Sequence, residues 1–154
     1  MVFIIIDFHT HIGTDKGSGK QTVQQLLESM AKTGIDRSVI FPFNGTDKEL
    51  IEDSLMLLEE YKADERLIPF LRINPNTIDK VRFGELLDKG FKGLKIHTNA
   101  QDFIPDDKGN YWIYEELGIR GLPVLFHNKI MQDNAKPERV VRAARDNPKT
   151  NFVL

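Results

Sequence analysis

The sequence predicts an α/β fold of the TIM type, a (β/α) barrel of which the chain contains only a part. Short runs of β-branched and apolar residues alternate with longer segments of helical periodicity, as expected for parallel strands joined by crossover helices. The strands start at intervals of about thirty residues, which is the spacing of βαβ units. The 154 residues hold about five and a half such units, whereas a complete barrel needs about 250 residues.

Six strands are predicted from runs rich in Val, Ile, Leu and Phe. They cover residues 2–7, 37–41, 67–72, 92–96, 123–126 and 151–154. The last run reaches the end of the chain with no polar turn or helix after it. We therefore expect residues 1–154 to be the N-terminal portion of one longer barrel domain.

Five helices are predicted between these strands. The first covers residues 22–32 and ends at Gly34, which suits a left-handed cap. The second covers residues 47–62, and Thr46 can cap its N-terminus. The third helix follows residues 74–77, contains Gly84 and is expected to pack Val81 into the core. The fourth covers residues 110–118 and closes at Gly118. The fifth has Pro137 in its first turn.

Composition excludes several kinds of site and partner. The 21 basic and 23 acidic residues give a net charge of -2, so no overall field favours nucleic acid or an anionic membrane surface. The chain has no cysteine, which excludes disulfides, thiolate zinc sites and cysteine nucleophiles. The apolar start lacks a basic region and is interrupted by Asp7 and His9, so it predicts neither a signal peptide nor a membrane span. We expect a cytoplasmic protein that acts on a small molecule.

His9 and His11 stand at the predicted end of the first strand. Alternation along a strand sends Asp7, His9 and His11 to the same side, so the two imidazoles can converge on one ion. Barrel enzymes carry their chemistry at the C-terminal ends of strands, which is where this pair lies. The alternative is a pair of polar residues in a surface loop.

His127 supplies a third imidazole. It follows the apolar residues 123–126 and occupies the predicted end of the fifth strand. In a barrel these strand ends open onto one face, so His127 can complete a three-histidine ligand set with His9 and His11. The alternative is a histidine that is hydrogen-bonded at a helix cap.

Lys95 and His97 share a parity at the predicted end of the fourth strand. A lysine in a barrel mouth needs a partner, such as a carboxylate, a substrate anion or, after carbamylation, a metal. We interpret both residues as facing the substrate. A surface lysine and a structural histidine remain open as the alternative.

Residues 17–20 lie between a strand and a helix, as a phosphate-binding P-loop does. The P-loop pattern requires glycine where Thr14 stands and serine or threonine where Gln21 stands. The motif is therefore rejected, and residues 14–20 are predicted to form a flexible loop.

Three segments together resemble the amidohydrolase superfamily, in its amidohydrolase-related branch: Ile6-Asp7-Phe8-His9-Thr10-His11, Phe91-Lys92-Gly93-Leu94-Lys95-Ile96-His97 and Gly121-Leu122-Pro123-Val124-Leu125-Phe126-His127. The resemblance implies a barrel that holds one or two divalent ions, usually zinc. His9, His11 and His127 match the positions of the family's first-strand and fifth-strand ligands. Lys95 lies near the carbamylated lysine of binuclear members, but the mononuclear branch does without that residue, so we expect one ion.

The resemblance also predicts an enzyme. The expected activity is metal-dependent hydrolysis of a small ester, lactone or amide. The alternatives are decarboxylation of an aromatic or unsaturated carboxylic acid, or an inactive barrel fragment. The family's sixth-strand histidine and eighth-strand aspartate are not part of this sequence. Because open sheet edges need cover, we expect a homo-oligomer or pairing with the missing barrel portion.

Overall fold

A computed structural model describes residues 3–15, 17 and 19–154. The chain forms two compact units, Met1–Arg72 and Ile73–Leu154. Among the described residues, no helix combines the length and the apolar character that crossing a membrane requires.

In its described residues, the first unit contains a four-stranded sheet and two helices. Its elements are β1 (Ile6–Asp15), β2 (Gly19–Gln21), α1 (Val23–Thr33), β3 (Arg37–Pro42), α2 (Asp47–Ala63), β4 (Leu67–Pro69) and β5 (Leu71–Arg72). The sheet order is β2-β1-β3-β4. β1, β3 and β4 are parallel, and β2 is antiparallel to β1. This unit confirms the predicted alternation of parallel strands and crossover helices.

Both helices of the first unit begin and pack as predicted. Thr22 and Thr46 form capping boxes at the starts of α1 and α2, which satisfies backbone N–H groups that the helix leaves free. α1 ends at Gly34 with φ 75°, a left-handed conformation that glycine adopts without strain. The helices and the sheet share a buried apolar core of Ile12, Leu26, Met30, Ile40, Leu57 and Leu67.

The segment after Asp7 differs from the prediction. β1 does not end at Asp7 but continues to Asp15, where it pairs with β2 in an antiparallel hairpin. The predicted flexible loop over residues 14–20 is therefore wrong for the described residues; Lys16 and Ser18 lie outside them. Glycine and polar residues suit an exposed hairpin as well as a loop, so composition does not distinguish the two.

The second unit contains three parallel strands and three α-helices. Its elements are α3 (Lys80–Leu87), β6 (Leu94–Ile96), a 3-10 turn (Lys108–Asn110), α4 (Tyr111–Arg120), β7 (Val124–Phe126), a 3-10 turn (Asp133–Ala135), α5 (Pro137–Asp146) and β8 (Phe152–Val153). β7 pairs in parallel with both β6 and β8. The three strands predicted in this part of the chain are confirmed, with shorter bounds.

An aromatic cluster joins α4 to the sheet of the second unit. The Phe126 and Phe152 rings stack with 6.0 Å between centres, and Tyr114 packs edge-on against Phe152 at 4.9 Å. Tyr114 is fully buried, and its hydroxyl donates to the Pro105 carbonyl at 2.9 Å. The buried phenol therefore satisfies its polar group while its ring fills the core.

Two helix boundaries in the second unit were predicted wrongly. α3 begins at Lys80, because Asn74 closes a turn with Asn76 and Thr77 before the helix starts. Val81, predicted to pack, is 73% exposed. α4 passes through Gly118 and ends at Arg120, where Gly121 supplies the left-handed cap.

Candidate functional site

The structure brings His9 and His11 together on β1. Their ring centres are 5.4 Å apart. Both rings contact Phe41 edge-on, at 5.2 Å and 4.7 Å between centres, and His11 lies opposite Phe41 in the parallel register. The two imidazoles therefore share one side of the strand, over a fully buried phenylalanine.

A β-bulge separates this pair from Asp7. Asp7 pairs with Ser38 and Thr10 with Ile40, so β1 advances three residues while β3 advances two. The predicted shared side of Asp7 and His11 is therefore wrong, because their partners Ser38 and Phe41 are an odd number of residues apart on β3 and face opposite ways. Asp7 instead accepts the backbone N–H of His9 at 3.0 Å, and so fixes the bulged backbone.

The environment of His11 determines which ring nitrogen is available for a ligand. Its Nδ1 atom lies 3.2 Å from the Pro42 carbonyl oxygen. A carbonyl only accepts, so Nδ1 carries the hydrogen and the neutral ring has its lone pair on Nε2. Histidines that bind metals use this arrangement to fix tautomer and ring orientation.

The separation of the two rings also suits a shared ion. Two imidazoles on one tetrahedral zinc, with Zn–N bonds of about 2.0–2.1 Å, have ring centres roughly 5 Å apart. The observed 5.4 Å between His9 and His11 is close to that value. The first unit therefore contributes a pair of nitrogen donors that fits zinc or a similar divalent ion.

Arg72 was missed by the sequence analysis as a candidate site residue. Its fully buried side chain donates from Nη1 to the Pro42 carbonyl at 2.6 Å and from Nη2 to the Asn44 side-chain oxygen. Burial lowers the pKa of Arg72 to about 10, so the guanidinium remains a cation at neutral pH. Its place at the end of the third predicted strand was the available signal, because barrel chemistry is located at strand ends.

The second unit brings His97 and His127 together. Their rings stack with 3.9 Å between centres and 15° between planes. His127 directly follows β7. Its backbone N–H donates to Ile96 at 3.0 Å, and its carbonyl accepts the Thr98 hydroxyl at 3.0 Å.

His97 is oriented by the turn that follows β6. Its backbone N–H donates to the Gln101 side-chain oxygen at 2.8 Å, and its Nδ1 accepts the Ala100 N–H at 3.2 Å. An acceptor at Nδ1 places the hydrogen of the neutral ring on Nε2. His97 therefore presents a donor at Nε2.

Lys95 lies in the middle of β6, opposite Leu125 of β7. Its side chain is fully buried. The alternative of a surface lysine is therefore wrong. The role of Lys95 in substrate binding stays a prediction.

Within each unit, the described His, Asp and Glu residues form no cluster of three or more that could hold a metal ion. The predicted ligand set takes His9 and His11 from the first unit and His127 from the second. The three-histidine site therefore stays a prediction, supported in the first unit by the geometry of its histidine pair.

Comparisons with solved structures show the fold. The chain is similar to 2,6-dihydroxybenzoate decarboxylase from Rhizobium (15% identity, TM-score 0.68, 98% of this chain and 65% of that chain). It is similar to 5-carboxyvanillate decarboxylase from Sphingomonas paucimobilis (11% identity, TM-score 0.74, 97% of this chain and 66% of that chain). It is also similar to an uncharacterized TIM-barrel protein from Bordetella bronchiseptica (18% identity, TM-score 0.70, 97% of this chain and 66% of that chain). The chain spans about 65% of the length of these structures, which confirms an α/β fold that corresponds to part of a TIM barrel.

Sequence comparison gives the family. A search among curated proteins found no significant match. The model of one family, described as amidohydrolase, matches residues 6–154. That match covers nearly the whole chain and includes all four histidines, so the chain belongs to the amidohydrolase family.

Proposed function

We propose that the protein is a metal-dependent hydrolase of small esters, lactones or amides, with His9, His11 and His127 as ligands of one divalent ion. Membership of the amidohydrolase family supports this assignment. The observation that carries it is the His11 ring beside His9, with Nδ1–H on the Pro42 carbonyl and Nε2 as the lone-pair nitrogen. Zinc is the first candidate, because it accepts imidazole nitrogens and retains an open position with three protein ligands.

The first unit supplies two oriented donors. Asp7 fixes the backbone of His9, and Pro42 fixes the tautomer of His11. Phe41 packs against both rings and limits their rotation. Zinc bound by neutral imidazoles supplies Lewis acidity and a water of pKa about 7, which is the chemistry needed to hydrolyse an acyl bond at neutral pH.

The second unit supplies the groups assigned to the substrate. His97 offers its Nε2–H as a donor to a substrate oxygen, since Nδ1 is already an acceptor. Lys95 contributes a fully buried amine, whose N–H groups can donate to an anionic group of the substrate. A substrate with a carboxylate next to its scissile bond matches both groups.

Decarboxylation is the second candidate. Two of the solved structures that the chain resembles are decarboxylases of aromatic acids. The same metal ligands would serve this reaction, and the carboxylate partner assigned to Lys95 would then be the group that leaves. The two reactions differ in product, which makes them separable by experiment.

Metal analysis tests the ligand set. The purified wild-type chain should bind one zinc per molecule, and the H9A/H11A double variant and H127A should each lose that zinc. H97F serves as the matched control, because it alters the fourth histidine, which is not a proposed ligand. Unchanged stoichiometry in the H9A/H11A variant would contradict the proposed site.

A substrate panel tests the reaction. Hydrolysis of esters, lactones and amides by the zinc-loaded chain supports the hydrolase, whereas carbon dioxide release from aromatic acids supports the decarboxylase. Zinc binding without either activity would identify an inactive barrel fragment. Each activity should disappear in H9A/H11A and persist in the Arg66→Met variant, whose side chain is a surface partner of Asp64.

A further inference from the structure

His11 and Arg72 donate to the same acceptor. The Pro42 carbonyl receives His11 Nδ1 at 3.2 Å and Arg72 Nη1 at 2.6 Å. A carbonyl oxygen has two lone pairs and can accept both bonds. The arginine and the histidine are therefore linked through one peptide group at the C-terminal end of β3.

The ring contacts of His11 with Phe41 and Phe43 do not distinguish its two ring orientations. Phe43 stacks on the ring with 4.8 Å between centres, and Phe41 meets it edge-on. A half-turn of the imidazole about its Cβ–Cγ bond keeps the ring in the same plane, exchanges nitrogen and carbon positions, and leaves these ring contacts nearly unchanged. The Nδ1 bond to Pro42 favours the orientation that makes Nε2 the lone-pair nitrogen. The Pro42 carbonyl therefore contributes to the orientation and the tautomer of His11.

Arg72 is held firmly enough to fix that carbonyl. Its backbone N–H donates to the Ser54 hydroxyl at 3.0 Å, and the same hydroxyl donates to the Arg72 carbonyl at 3.3 Å. Asn44 accepts from the second guanidinium nitrogen. Ser54 and Arg72 are fully buried. Breaking the bond between the guanidinium and the Pro42 carbonyl would leave a buried donor unpaired, which costs free energy. The chain of contacts runs from α2 through Arg72 and Pro42 to His11.

We propose that Arg72 is a positioning residue for His11: it pins the Pro42 carbonyl, which fixes the Nδ1–H tautomer and presents Nε2 as the metal donor. The metal part rests on the proposed function, since it requires that His11 is a ligand. The tautomer part does not, because it concerns the protein without metal. The low pKa of Arg72, about 10, still leaves the guanidinium protonated and donating at neutral pH.

The primary test is the Arg72→Met variant, with Arg66→Met as the matched surface control. Long-range 1H–15N spectra of the metal-free protein report the tautomer of His11 directly. We expect Nδ1–H in the wild type and in R66M, and a mixture of both tautomers in R72M. Zinc affinity should fall about 10- to 100-fold in R72M, the usual cost of losing a group that orients a metal-bound histidine, and should stay unchanged in R66M.

Methionine is chosen because it fills a similar volume and carries no hydrogen-bond donor. If R72M does not fold, Asn44→Ala decides the question, since it removes only one anchor of the guanidinium. N44A should shift part of the His11 population to the Nε2–H tautomer. A folded R72M, or failing that N44A, with wild-type tautomer and wild-type zinc affinity would overturn the proposal.

Failure of the proposed function has a different signature. A wild-type protein that binds no zinc, with His11 nonetheless in the Nδ1–H form, would refute the metal site. The tautomer spectra of R72M and N44A would then judge the role of Arg72 alone.

Discussion

His97 stacks its imidazole on the imidazole of His127, with 3.9 Å between ring centres. The backbone of His127 is held on both sides, by Ile96 and by Thr98. The side chain of His127 can still rotate, and the parallel ring of His97 restricts that rotation. His97 therefore helps to determine the direction in which the ring nitrogens of His127 point.

This stacking predicts different outcomes for two substitutions of His97. H97A removes the ring and frees His127, so zinc affinity should fall by about tenfold, as for other groups that orient a metal ligand. H97F keeps a flat ring of similar size, so zinc affinity should stay within about twofold of the wild type. Competition with a chromogenic chelator measures both. Equal losses in H97A and H97F would show that stacking is not the cause.

The ion pairs of Asp106 should make the stability of the second unit depend on pH. It accepts from Arg139 at 2.8 Å and from Arg142 at 2.7 Å. Partial burial raises the pKa of Asp106, but hydrogen bonds from the two guanidinium groups outweigh that effect and hold the pKa below its usual range. A carboxyl group with a lowered pKa in the folded state stabilises the fold above its unfolded pKa, near 3.8. That stabilisation is lost as the pH falls through the lower, folded value.

The Asp106→Asn variant should therefore be less stable than the wild type only where the carboxylate is charged. At pH 7 we expect a loss of about 1–2 kcal/mol in the free energy of unfolding, which is typical of charge-assisted bonds that are partly solvated. The difference should shrink below about pH 4 as the wild-type carboxylate takes up its proton. Urea unfolding at pH 7, 5, 3.5 and 2.5 measures it, with Asp107→Asn as the neighbouring control. A difference that is constant over this range would contradict the assignment.

Periodicity along the chain was sufficient to predict most of the fold. The runs at residues 37–41 and 123–126 are strands because buried parallel strands are apolar throughout. Helices α1 and α2 were predicted with their caps, since Thr46 and Gly34 act through local backbone geometry. These features depend on near neighbours in the sequence.

Features that depend on distant residues were not predicted. The bulge after Asp7 reflects the pairing of β1 with β3, and no residue type near it requires a shift in register. Arg72 is a candidate site residue because its guanidinium donates to the carbonyl of Pro42, which lies thirty residues earlier in the chain. For the candidate site, the sequence predicted the four histidines, whereas the groups that contact them are known only from the structure.

The N-terminal residues predict self-association. Phe3, Ile4 and Ile5 are 77%, 67% and 54% exposed, and contiguous exposed apolar residues mark interaction surfaces. We expect the chain to form a dimer or larger oligomer at micromolar concentration, with about 1,000 Å² or more buried in total. The F3S/I4S variant should shift towards monomer in multi-angle light scattering. A wild-type chain that is monomeric and unfolds cooperatively under these conditions would show that this surface needs no partner.

Two glycines inside helices of the second unit predict opposite effects of the same substitution. A Cβ atom on Gly118 of α4 would lie 2.7 Å from the Thr150 hydroxyl oxygen and 3.2 Å from the Lys149 carbonyl oxygen. That hydroxyl donates to the Tyr114 carbonyl at 2.6 Å, so it cannot move away without losing a buried hydrogen bond. A Cβ on Gly84 of α3 would meet only the ends of the Arg120 and Glu116 side chains, at 3.6 Å and 3.8 Å.

We therefore expect Gly118→Ala to destabilise the protein and Gly84→Ala to stabilise it. Overpacking against fixed backbone costs about 1–3 kcal/mol, which exceeds the gain of about 0.5–1 kcal/mol that alanine brings to a helix interior. At Gly84 that gain should appear almost undiminished, because flexible side-chain ends can shift. Urea unfolding of the two single variants at pH 7 measures both changes. Stabilisation by both substitutions would show that the packing of Thr150 against α4 is looser than the structure indicates, and helix propensity alone would then explain the result.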